Sequence, residues 1–350
     1  NVEPGHVIPY SKATITQAAK GDLEIQKYAK AVPIEDVNNY GAEIAAICDS
    51  NEENLRFAGE RYNIPEEKWV RDYKEIMENP DIDVVTVAIP DQQHVKVSCD
   101  LLRAGKNVLC EKPLALTRED IEEMIRVADE SGSKFMVGQI CRFTPSFEKT
   151  KELIESGVIG DIYFIESEYA HDYMKLCDEW RADPKRHGVI GGGCHAIDFL
   201  RWIAGNPIDV RAYSNHKYLT TWPVNDTTIA IYNFPNNVIG KVFCGIGVKR
   251  AYTMRTCLYG TEGTLIFESQ GKEMQLFQTD KNGNMYMFPK ILETLEEAPA
   301  VFEKTDRFYE AVDWLSLVLT GVETTAAERQ TAFTTMMKVA LDVAVAMENK

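Results

Sequence analysis

The stretch VVTVAIPDQQHVKVSCDLLRAGKNVLCEKP, residues 84–113, decides the fold of this chain. It begins with six apolar or β-branched residues that end at Pro90, a pattern typical of a buried strand. Residues 94–104 then have apolar side chains at helical spacing and end at Gly105, and residues 107–110 form a second apolar run. Two apolar strands joined by a helix predict a parallel sheet that is covered on both faces.

The alternation of strand and helix continues on both sides of this stretch. The elements predicted before it are a strand, a helix with Ser50 as its N-cap, an extended piece and a helical turn, over residues 42–49, 51–62, 70–72 and 73–79. After it, residues 118–130 predict a helix that ends at Gly132, and residues 135–140 predict a strand. We therefore expect an α/β, doubly wound (Rossmann) parallel-sheet domain over residues 1–143.

Beyond a connecting helix over residues 144–156, the apolar pattern changes to the period of strands parted by turns. The predicted strands are residues 162–169, 210–216, 227–234, 238–247, 255–259 and 264–268. Helices over residues 307–320 and 326–348 close the chain. We expect an α+β C-terminal domain with a largely antiparallel sheet over residues 144–350. One face of that sheet still needs a cover, which predicts a homo-oligomer, either a dimer or a tetramer.

Length and charge narrow the functional class. With 350 residues, two domains are expected, and 45% hydrophobic and 26% charged residues exclude disordered, collagenous and coiled-coil proteins. The net charge of −16 argues against nucleic acid or an anionic membrane as a partner, because both require a basic surface. No apolar run approaches the ~20 residues of a membrane span.

The cysteines and histidines do not have the spacing of a metal site. His171, Asp172 and His187 lack helical or hairpin ligand spacing, so we predict no metal. The cysteines lie in apolar stretches without a CxxC pair, which predicts reduced core thiols in a cytoplasmic protein. They are Cys48, Cys99, Cys110, Cys141, Cys177, Cys194, Cys244 and Cys257.

Asp49 ends the first predicted strand, where a doubly wound fold places an acid on the adenosine ribose. A carboxylate there accepts a hydrogen bond from NAD and repels the phosphate of NADP, so NAD is the predicted cofactor. The alternative is an Asp that only starts the next helix. The glycine fingerprint expected ~20 residues earlier is absent, since residues 1–40 hold only Gly5 and Gly21. We expect the first strand and the phosphate-binding loop to precede Asn1.

Several motifs resemble the glucose-fructose oxidoreductase, inositol dehydrogenase and rhizopine-catabolism (Gfo/Idh/MocA) family of NAD(P)-dependent oxidoreductases. The most specific is CEKPLAL, and it is supported by GQICRF, WRADP and GGGCHAIDFLRWIAG, at residues 110–116, 138–143, 180–184 and 191–205. The resemblance runs from about residue 42 to the C-terminus. It implies oxidation of a ring hydroxyl of a sugar, glycoside or cyclic polyol. Asp91 departs from the usual Asn of the family and adds a negative charge near the expected cofactor.

Lys112 is the first candidate catalytic residue. Together with Glu111 it directly follows a parallel strand, at the edge of the sheet where such folds bind ligands. A lysine held there can donate to a substrate hydroxyl or exchange protons with it, whereas the alternative is a solvated surface lysine. The resemblance implies a catalytic Lys112 and places Arg142 near the nicotinamide. The predicted cofactor contacts are Asp49, Ser50, Ile89, Pro90, Asp91, His94, Glu111, Lys112 and Arg142.

His195 is the second candidate. It lies three residues before Asp198 on a predicted helix, so the two side chains share a face. The alternatives are a core histidine and an ordinary surface pair between Asp198 and Arg201. A neutral imidazole, with an unperturbed pKa of ~6.5, is suited to accept a proton at pH 7.

The resemblance implies that His195 accepts the alcohol proton, with an Asp four residues before it as its partner. That position is Gly191 in this chain. We therefore expect His195 to find a carboxylate in Asp172 or Asp198, or Lys112 to carry more of the proton transfer.

The predicted sugar pocket combines aromatic faces with polar groups, the surface that sugar rings require. Its predicted residues are Lys112, Tyr169, His171, Asp172, Trp180, Arg181, His195, Asp198 and Tyr252. Each aromatic residue alone is equally compatible with ordinary core packing.

Two other functions stay open. In one, NAD is retained and a transient ketone assists cleavage of a glycosidic bond, so that an aglycone is released without NADH accumulation. In the other, the chain is a non-catalytic, dinucleotide-linked sensor or scaffold, and replacing Lys112 changes no turnover.

Overall fold

The computed structural model describes residues 44–173, 179–268, 273–279, 283 and 289–293. The described residues divide into two compact units, 44–114 with 122–138 and 115–121 with the described part of 139–293. The domain boundary after residue 143 stays a prediction. The expected upstream loop and the closing helices lie outside the described residues. No helix in the described ranges has the length and apolar character that a membrane crossing requires.

The elements up to residue 138 form parallel sheets with intervening helices. They are β1 (Ile47–Cys48), α1 (Glu52–Arg61), β2 (Trp69–Val70), α2 (Tyr73–Glu78), β3 (Val84–Val87), α3 (His94–Arg103), β4 (Asn107–Glu111), α4 (Arg118–Ser131) and β5 (Phe135–Gly138). Strands β1 and β2 pair in parallel, and β3, β4 and β5 form a three-stranded parallel sheet in that order. The predicted doubly wound, Rossmann-type parallel-sheet domain is confirmed.

Local chemistry explains where these helices begin and end. Gly105 and Gly132 follow α3 and α4 with φ of +80° and +68°, the left-handed conformation that glycine adopts without strain. The prediction that Ser50 caps α1 is wrong. The cap is Asn51, whose extended backbone lets its side-chain oxygen accept hydrogen bonds from the backbone nitrogens of Glu53 and Asn54.

The second unit is built on an eight-stranded sheet in the order β13-β12-β11-β10-β6-β9-β8-β7. Its elements are α5 (Pro145–Glu155), β6 (Ile162–Ala170), α6 (Cys194–Ala204), β7 (Asp209–Asn215), β8 (Thr227–Phe234), β9 (Val238–Gly245), β10 (Arg255–Gly260), β11 (Gly263–Glu268), β12 (Glu273–Gln278) and β13 (Lys290–Glu293). All neighbouring strands are antiparallel except β6 and β9, which confirms the largely antiparallel sheet. Strands β12 and β13 were not predicted.

Helices α5 and α6 pack on one face of this sheet through aromatic side chains. Phe147 of α5 lies 4.5 Å from Phe199 of α6 and 5.7 Å from Phe267 of β11, measured between ring centroids. The rings of Phe199 and Phe267 are 6.0 Å apart in an edge-to-face arrangement. Burying three such rings removes a large apolar area from water, and this cluster holds α6 on the sheet.

The described cysteines are all free thiols, and six of the seven are buried. The exception is Cys48 at the end of β1, which is exposed. The prediction of a core thiol is therefore wrong at this position. The reason is that β1 is only two residues long and its outer side chain points away from the unit's core.

Candidate functional site

The carboxyl end of β4 presents Glu111 and Lys112 at the edge of the parallel sheet. The backbone nitrogen of Lys112 donates to Oε2 of Glu111 over 3.1 Å. Burial raises the pKa of the Glu111 carboxyl to about 7, although the positive charge of Lys112 opposes that rise. A Cβ atom at position 138 would lie only 3.3 Å from Oε1 of Glu111, so the glycine there avoids crowding this carboxyl.

His94 links the segments that follow β3 and β4. Its Nδ1 lies 2.8 Å from the carbonyl oxygen of Pro113, and its Nε2 lies 2.9 Å from that of Ile89. Two carbonyl acceptors require both ring nitrogens to donate, which describes an imidazolium. Burial disfavours the charged ring, but Cys110, Asp91 and the Pro113 carbonyl raise the pKa of His94 to about 10.

This arrangement changes the role expected for the residues between β3 and α3. The His94 ring is fully buried and has both nitrogens engaged, so it supports the strand ends instead of presenting a free nitrogen to a cofactor. Asp91 is also buried, at 3% exposure, within a short 3₁₀ turn after Pro90. The negative charge of Asp91 acts on the positively charged His94 ring. That positive charge partly offsets the negative charge that Asp91 adds where the family usually has Asn.

Asp49 follows β1 and its carboxylate is held in place at the start of α1. Oδ1 accepts a hydrogen bond from the Asn51 backbone over 2.7 Å, and Oδ2 accepts one from the Asn54 side chain over 2.9 Å. A carboxylate oxygen has two acceptor sites, so both oxygens keep capacity for a ribose hydroxyl. The adjacent Ser50 is exposed. These residues fit the adenosine ribose of NAD, and the same fixed negative charge disfavours the phosphate of NADP.

In the second unit, a glycine-rich π-helical turn, Val189–Gly193, leads directly into α6. Its glycines are required by close contacts. A Cβ at Gly192 would lie 2.2 Å from the Tyr169 ring, and a Cβ at Gly191 would lie within 2.4 Å of the Arg186 guanidinium. The glycine backbone of the turn therefore packs directly against Tyr169 and Arg186. His195 follows on the first turn of α6.

The His195 ring is buried, at 5% exposure, and is held by a side-chain amide. Its Nδ1 lies 3.1 Å from Nε2 of Gln139, the residue that follows β5. The ring of Tyr169 on β6 lies 6.5 Å away between centroids. Sequence reasoning did not select Gln139, although it stands inside the GQICRF motif.

Asp198 forms an ion pair with Arg142. The guanidinium donates from Nε and Nη2 to the two carboxylate oxygens, each over 2.7 Å. This bidentate geometry is the strongest form of the Arg–carboxylate interaction, and Asp198 is only 1% exposed. Arg201 is also buried, and the Asp198 charge acts on it, so the alternative of a pair at the surface is wrong. The Nδ1 atom of His195 contacts Gln139, and a carboxylate partner for His195 in Asp172 or Asp198 stays a prediction.

Four of the predicted pocket residues meet in one aromatic cluster. Tyr169 contacts Tyr252 edge to face at 5.4 Å and lies 6.5 Å from His171 and from His195. Tyr173, which was not predicted, completes the cluster and its hydroxyl is 2.8 Å from that of Tyr169. Burial and the neighbouring Tyr173 raise the pKa of Tyr169, so the hydroxyl keeps its proton.

The remaining predicted residues lie nearby in sequence but make other contacts. Asp172 forms an isolated antiparallel bridge with Gly247. The Trp180 ring makes cation–π contacts with two arginines. The guanidinium carbons of Arg181 and Arg186 lie 4.1 and 5.0 Å from the ring centroid. Among the described residues, no cluster of three His, Cys, Asp or Glu is arranged for a metal ion.

The structure thus gathers the predicted residues into two sets. Asp49, Pro90, Glu111 and Lys112 stand at strand ends in the first unit, whereas His195 and the aromatic cluster belong to the second. The convergence of Lys112 and His195 on one hydroxyl stays a prediction, as do the individual contacts to cofactor and substrate.

Comparison with known proteins identifies the family. Residues 24–139 match the model for the oxidoreductase family with an NAD-binding Rossmann fold, GFO_IDH_MocA, and residues 147–266 match the GFO/IDH/MocA C-terminal domain. The chain belongs to the GFO/IDH/MocA oxidoreductase family. The resemblance drawn from the CEKPLAL and GGGCHAIDFLRWIAG motifs is confirmed, and NAD is the cofactor type of its Rossmann domain.

Among curated relatives, this GFO/IDH/MocA chain is 26% identical over 283 residues to levoglucosan dehydrogenase of Pseudarthrobacter phenanthrenivorans, covering 68% of this chain and 69% of that protein. It is 26% identical over 251 residues to myo-inositol 2-dehydrogenase of Thermotoga maritima, covering 68% and 71%. It is 28% identical over 208 residues to mouse trans-1,2-dihydrobenzene-1,2-diol dehydrogenase, covering 58% and 60%.

Solved structures share the fold. Levoglucosan dehydrogenase in complex with NADH superposes with a TM-score of 0.74 at 23% identity, covering 87% of both chains. The complex of that enzyme with NADH and levoglucosan gives a TM-score of 0.70 at 25% identity, covering 87% of this chain and 86% of the other.

Proposed function

We propose that this chain oxidises a ring hydroxyl of a sugar, glycoside or cyclic polyol with NAD, and that Lys112 and His195 act on the reacting hydroxyl. The relatives act, by their names, on levoglucosan, myo-inositol and a dihydrodiol, all of which are cyclic hydroxyl compounds. The observation that carries the proposal is His195, held at Nδ1 in a wall of aromatic side chains suited to a sugar ring.

The first unit supplies the cofactor side of the proposal. When bound, NAD supplies the acceptor for the hydride that leaves the carbinol carbon. Asp49 would hold the adenosine ribose, and Ile89 and Pro90 would line the approach at the end of β3. Lys112 is oriented through its backbone, because its nitrogen is bonded to Glu111 and its neighbour Pro113 is bonded to His94.

The proton has two candidate acceptors. An imidazole with its Nδ1 side fixed can accept the hydroxyl proton at Nε2, and general-base assistance of this kind contributes about 10²–10⁴-fold to a rate. The Lys112 ammonium would donate a hydrogen bond to the same oxygen and stabilise the negative charge that develops there. Tyr169, protonated because it is buried, would present an apolar edge and keep water from the His195 ring.

The assembly and location belong to the same proposal. The outward face of the second unit's sheet exposes large apolar side chains, including Tyr213 at 70% and Ile231 at 42% exposure. Such a face supports self-association into a dimer or tetramer. The free thiols among the described cysteines support a reducing, cytoplasmic compartment.

The test is NADH formation by the full-length chain with a panel of sugars, inositols and glycosides, including levoglucosan and myo-inositol. We expect one panel member to reduce NAD. Lys112→Met and His195→Asn should each lower kcat by about 10²-fold or more, since each removes a group that handles the proton. Lys74→Met, on an exposed helix, is the matched control and should retain activity.

The outcomes separate the three functions. Aglycone release from a glycoside without NADH accumulation would replace the dehydrogenase by the redox-neutral glycosidase. Full turnover in both Lys112→Met and His195→Asn would refute the assigned roles. Tight NADH binding, followed by fluorescence, without turnover of any panel member would favour the sensor or scaffold.

A further inference from the structure

The Nδ1 atom of His195 is bonded to an uncharged side chain. Gln139 is 4% exposed, and its amide nitrogen lies 3.1 Å from that ring nitrogen. We infer that Gln139 is the positioning residue of His195: its buried amide engages Nδ1 and orients the ring without adding a negative charge there. The inference rests on the proposed function, since it assumes that His195 accepts the proton.

The local packing explains why a carboxylate one turn earlier is not used. Position 191 is a glycine, and a Cβ built there would come within 2.4–2.9 Å of the Arg186 guanidinium. Arg186 is buried, at 4% exposure, so an acidic side chain could not enter this space without displacing it. Asp198, the acid on α6 itself, already accepts both hydrogen bonds of the Arg142 fork. The contact to Nδ1 therefore comes from outside α6.

An amide partner acts differently from a carboxylate. A carboxylate can only accept, so it fixes a proton on Nδ1 and stabilises the imidazolium. An amide accepts through its oxygen or donates through its nitrogen, and rotating it by 180° exchanges the two roles. The other amide atom of Gln139, Oε1, is buried and has no hydrogen-bond partner among the described residues. The rotation therefore breaks no further hydrogen bond in that part of the chain.

The proton transfer uses one of these two orientations. With the amide oxygen accepting a hydrogen bond from a protonated Nδ1, Nε2 of His195 carries a lone pair, accepts the proton of the alcohol and forms an imidazolium. In the reverse direction the same imidazolium returns that proton to the oxygen as hydride adds to the carbonyl carbon, so Nδ1 stays protonated in both directions. Gln139 thus holds the ring through both directions of a reversible dehydrogenation without adding a charge at Nδ1.

Several polar groups of the described elements lie near this part of α6. They are Tyr169 on β6, Cys244 on β9, Tyr252 in the segment before β10, the Arg142–Asp198 pair, and Arg186 against the π-helical turn. Burial raises the pKa of Tyr169, Cys244 and Tyr252, so these three groups stay neutral at pH 7. A charge introduced at position 139 is therefore the simplest way to change the titration of His195.

The experiment compares Gln139→Met and Gln139→Glu in the full-length chain, with the panel substrate that gives the highest rate. Gln139→Met keeps the length of the side chain but removes the hydrogen bond, so kcat should fall by about 10–100-fold with little change in KM. Gln139→Glu adds a carboxylate, which should move the acidic limb of kcat/KM upward by about one pH unit. The control is Gln275→Met on the exposed side of β12, which should leave rate and pH profile unchanged.

A spectroscopic measurement covers the case in which a variant does not fold. The ¹⁵N shifts of the His195 ring in the wild-type chain report which nitrogen is protonated, and loss of the signal in His195→Asn assigns it among the six histidines. We expect a neutral ring at pH 7.5. A ring still charged at that pH would overturn the inference.

The two proposals fail in different ways. If His195→Asn is inactive while both Gln139 variants keep the wild-type rate and pH profile, the positioning role is refuted and the proposed function stands. If His195→Asn keeps full activity, the proposed function itself fails, whatever the Gln139 variants do.

Discussion

At the scale of single residues, the strand ends of the first unit concentrate opposite charges in a small buried volume. His94 bridges two backbone carbonyls as a cation, and Glu111 lies close enough for the His94 charge to act on its carboxyl. Burial raises the pKa of Glu111, whereas neighbouring groups raise the pKa of His94 against the effect of burial, so each titrates away from its ordinary range. Such perturbed groups gather at functional sites, and here Glu111 directly precedes Lys112 while His94 contacts the carbonyl of Pro113, which directly follows it.

The raised pKa of Glu111 predicts a pH dependence of stability. Because the folded pKa of about 7 exceeds the unfolded value of 4.5, the favourable contribution is fully present below pH 4.5 and is lost as pH rises through 7. Glu111→Gln stays neutral at every pH. As the pH rises from 5 to 8, the free energy of unfolding of the wild type should therefore fall by up to about 2 kcal/mol relative to that of the variant. Chemical denaturation at both pH values measures this difference.

Exposed Glu67, in the 3₁₀ turn after α1, provides the control for this comparison. Glu67→Gln should follow the wild-type pH dependence within a few tenths of a kcal/mol, because an exposed carboxyl pays no burial cost. A constant difference between Glu111→Gln and wild type across this pH range would show that the carboxyl is already charged at pH 5.

At the scale of elements, the start of α1 is held by one side chain. Asn51 accepts two backbone hydrogen bonds that the first turn of the helix cannot otherwise satisfy. Its backbone N–H also donates a hydrogen bond to Asp49, so the cap and the Asp49 carboxylate are coupled. The sequence analysis predicted the preceding residue, Ser50, as the cap. The shift by one position means that the Asn51 side chain, and not that of Ser50, caps the helix.

We expect Asn51→Ala to lower the free energy of unfolding by about 1 kcal/mol, as the loss of a helix cap does. Ser50→Ala should change it by less than about 0.5 kcal/mol, since Ser50 is exposed and is not the cap. Urea denaturation followed by circular dichroism measures both variants. Equal losses in the two would mean that the cap can shift between neighbouring positions.

At the scale of the whole molecule, the outward face of the eight-stranded sheet exposes large apolar side chains. Across β7, β8 and β9 it presents Tyr213, Ile229, Ile231 and Ile239, each between 39% and 70% exposed. Tyr213 is paired directly with Ile229, which is paired with Phe243, so one row across the three strands is apolar, whereas Ile231 in the next row stands between Arg211 and Lys241. Exposed apolar side chains of this kind suggest an interaction site.

Replacing Tyr213 and Ile229 together by Asp should dissociate the proposed oligomer. Two negative charges in the apolar row would lie face to face with their copies in a symmetric interface, and each would have to leave water. Light scattering coupled to size exclusion should show the mass falling to that of one chain. Tyr213→Phe keeps the apolar surface and should keep the oligomer. A wild-type chain that is already monomeric at micromolar concentration would remove this proposal.

The amino-acid pattern was sufficient for the fold because it depends on short-range information. Apolar runs of strand length separated by amphipathic segments specify the parallel sheet, and alternating residues with turns such as Asn236-Asn237 specify the antiparallel one. Strands β12 and β13 were missed, although the residues of β12, EMQLFQ, alternate polar and apolar over its first four positions. The position of Lys112 at a strand end followed from the same local rules.

What only the tertiary structure decided is which side chains meet across elements. The sequence by itself determined the fold class, the family and the identity of His195 as a candidate, since all three reside in local pattern and motif. Its partner Gln139 lies 56 positions away, after a different strand, and the Arg142 fork reaches Asp198 over the same separation. Contacts of that kind are set by how α6 packs on the sheet, and packing depends on the whole core instead of on neighbouring residues.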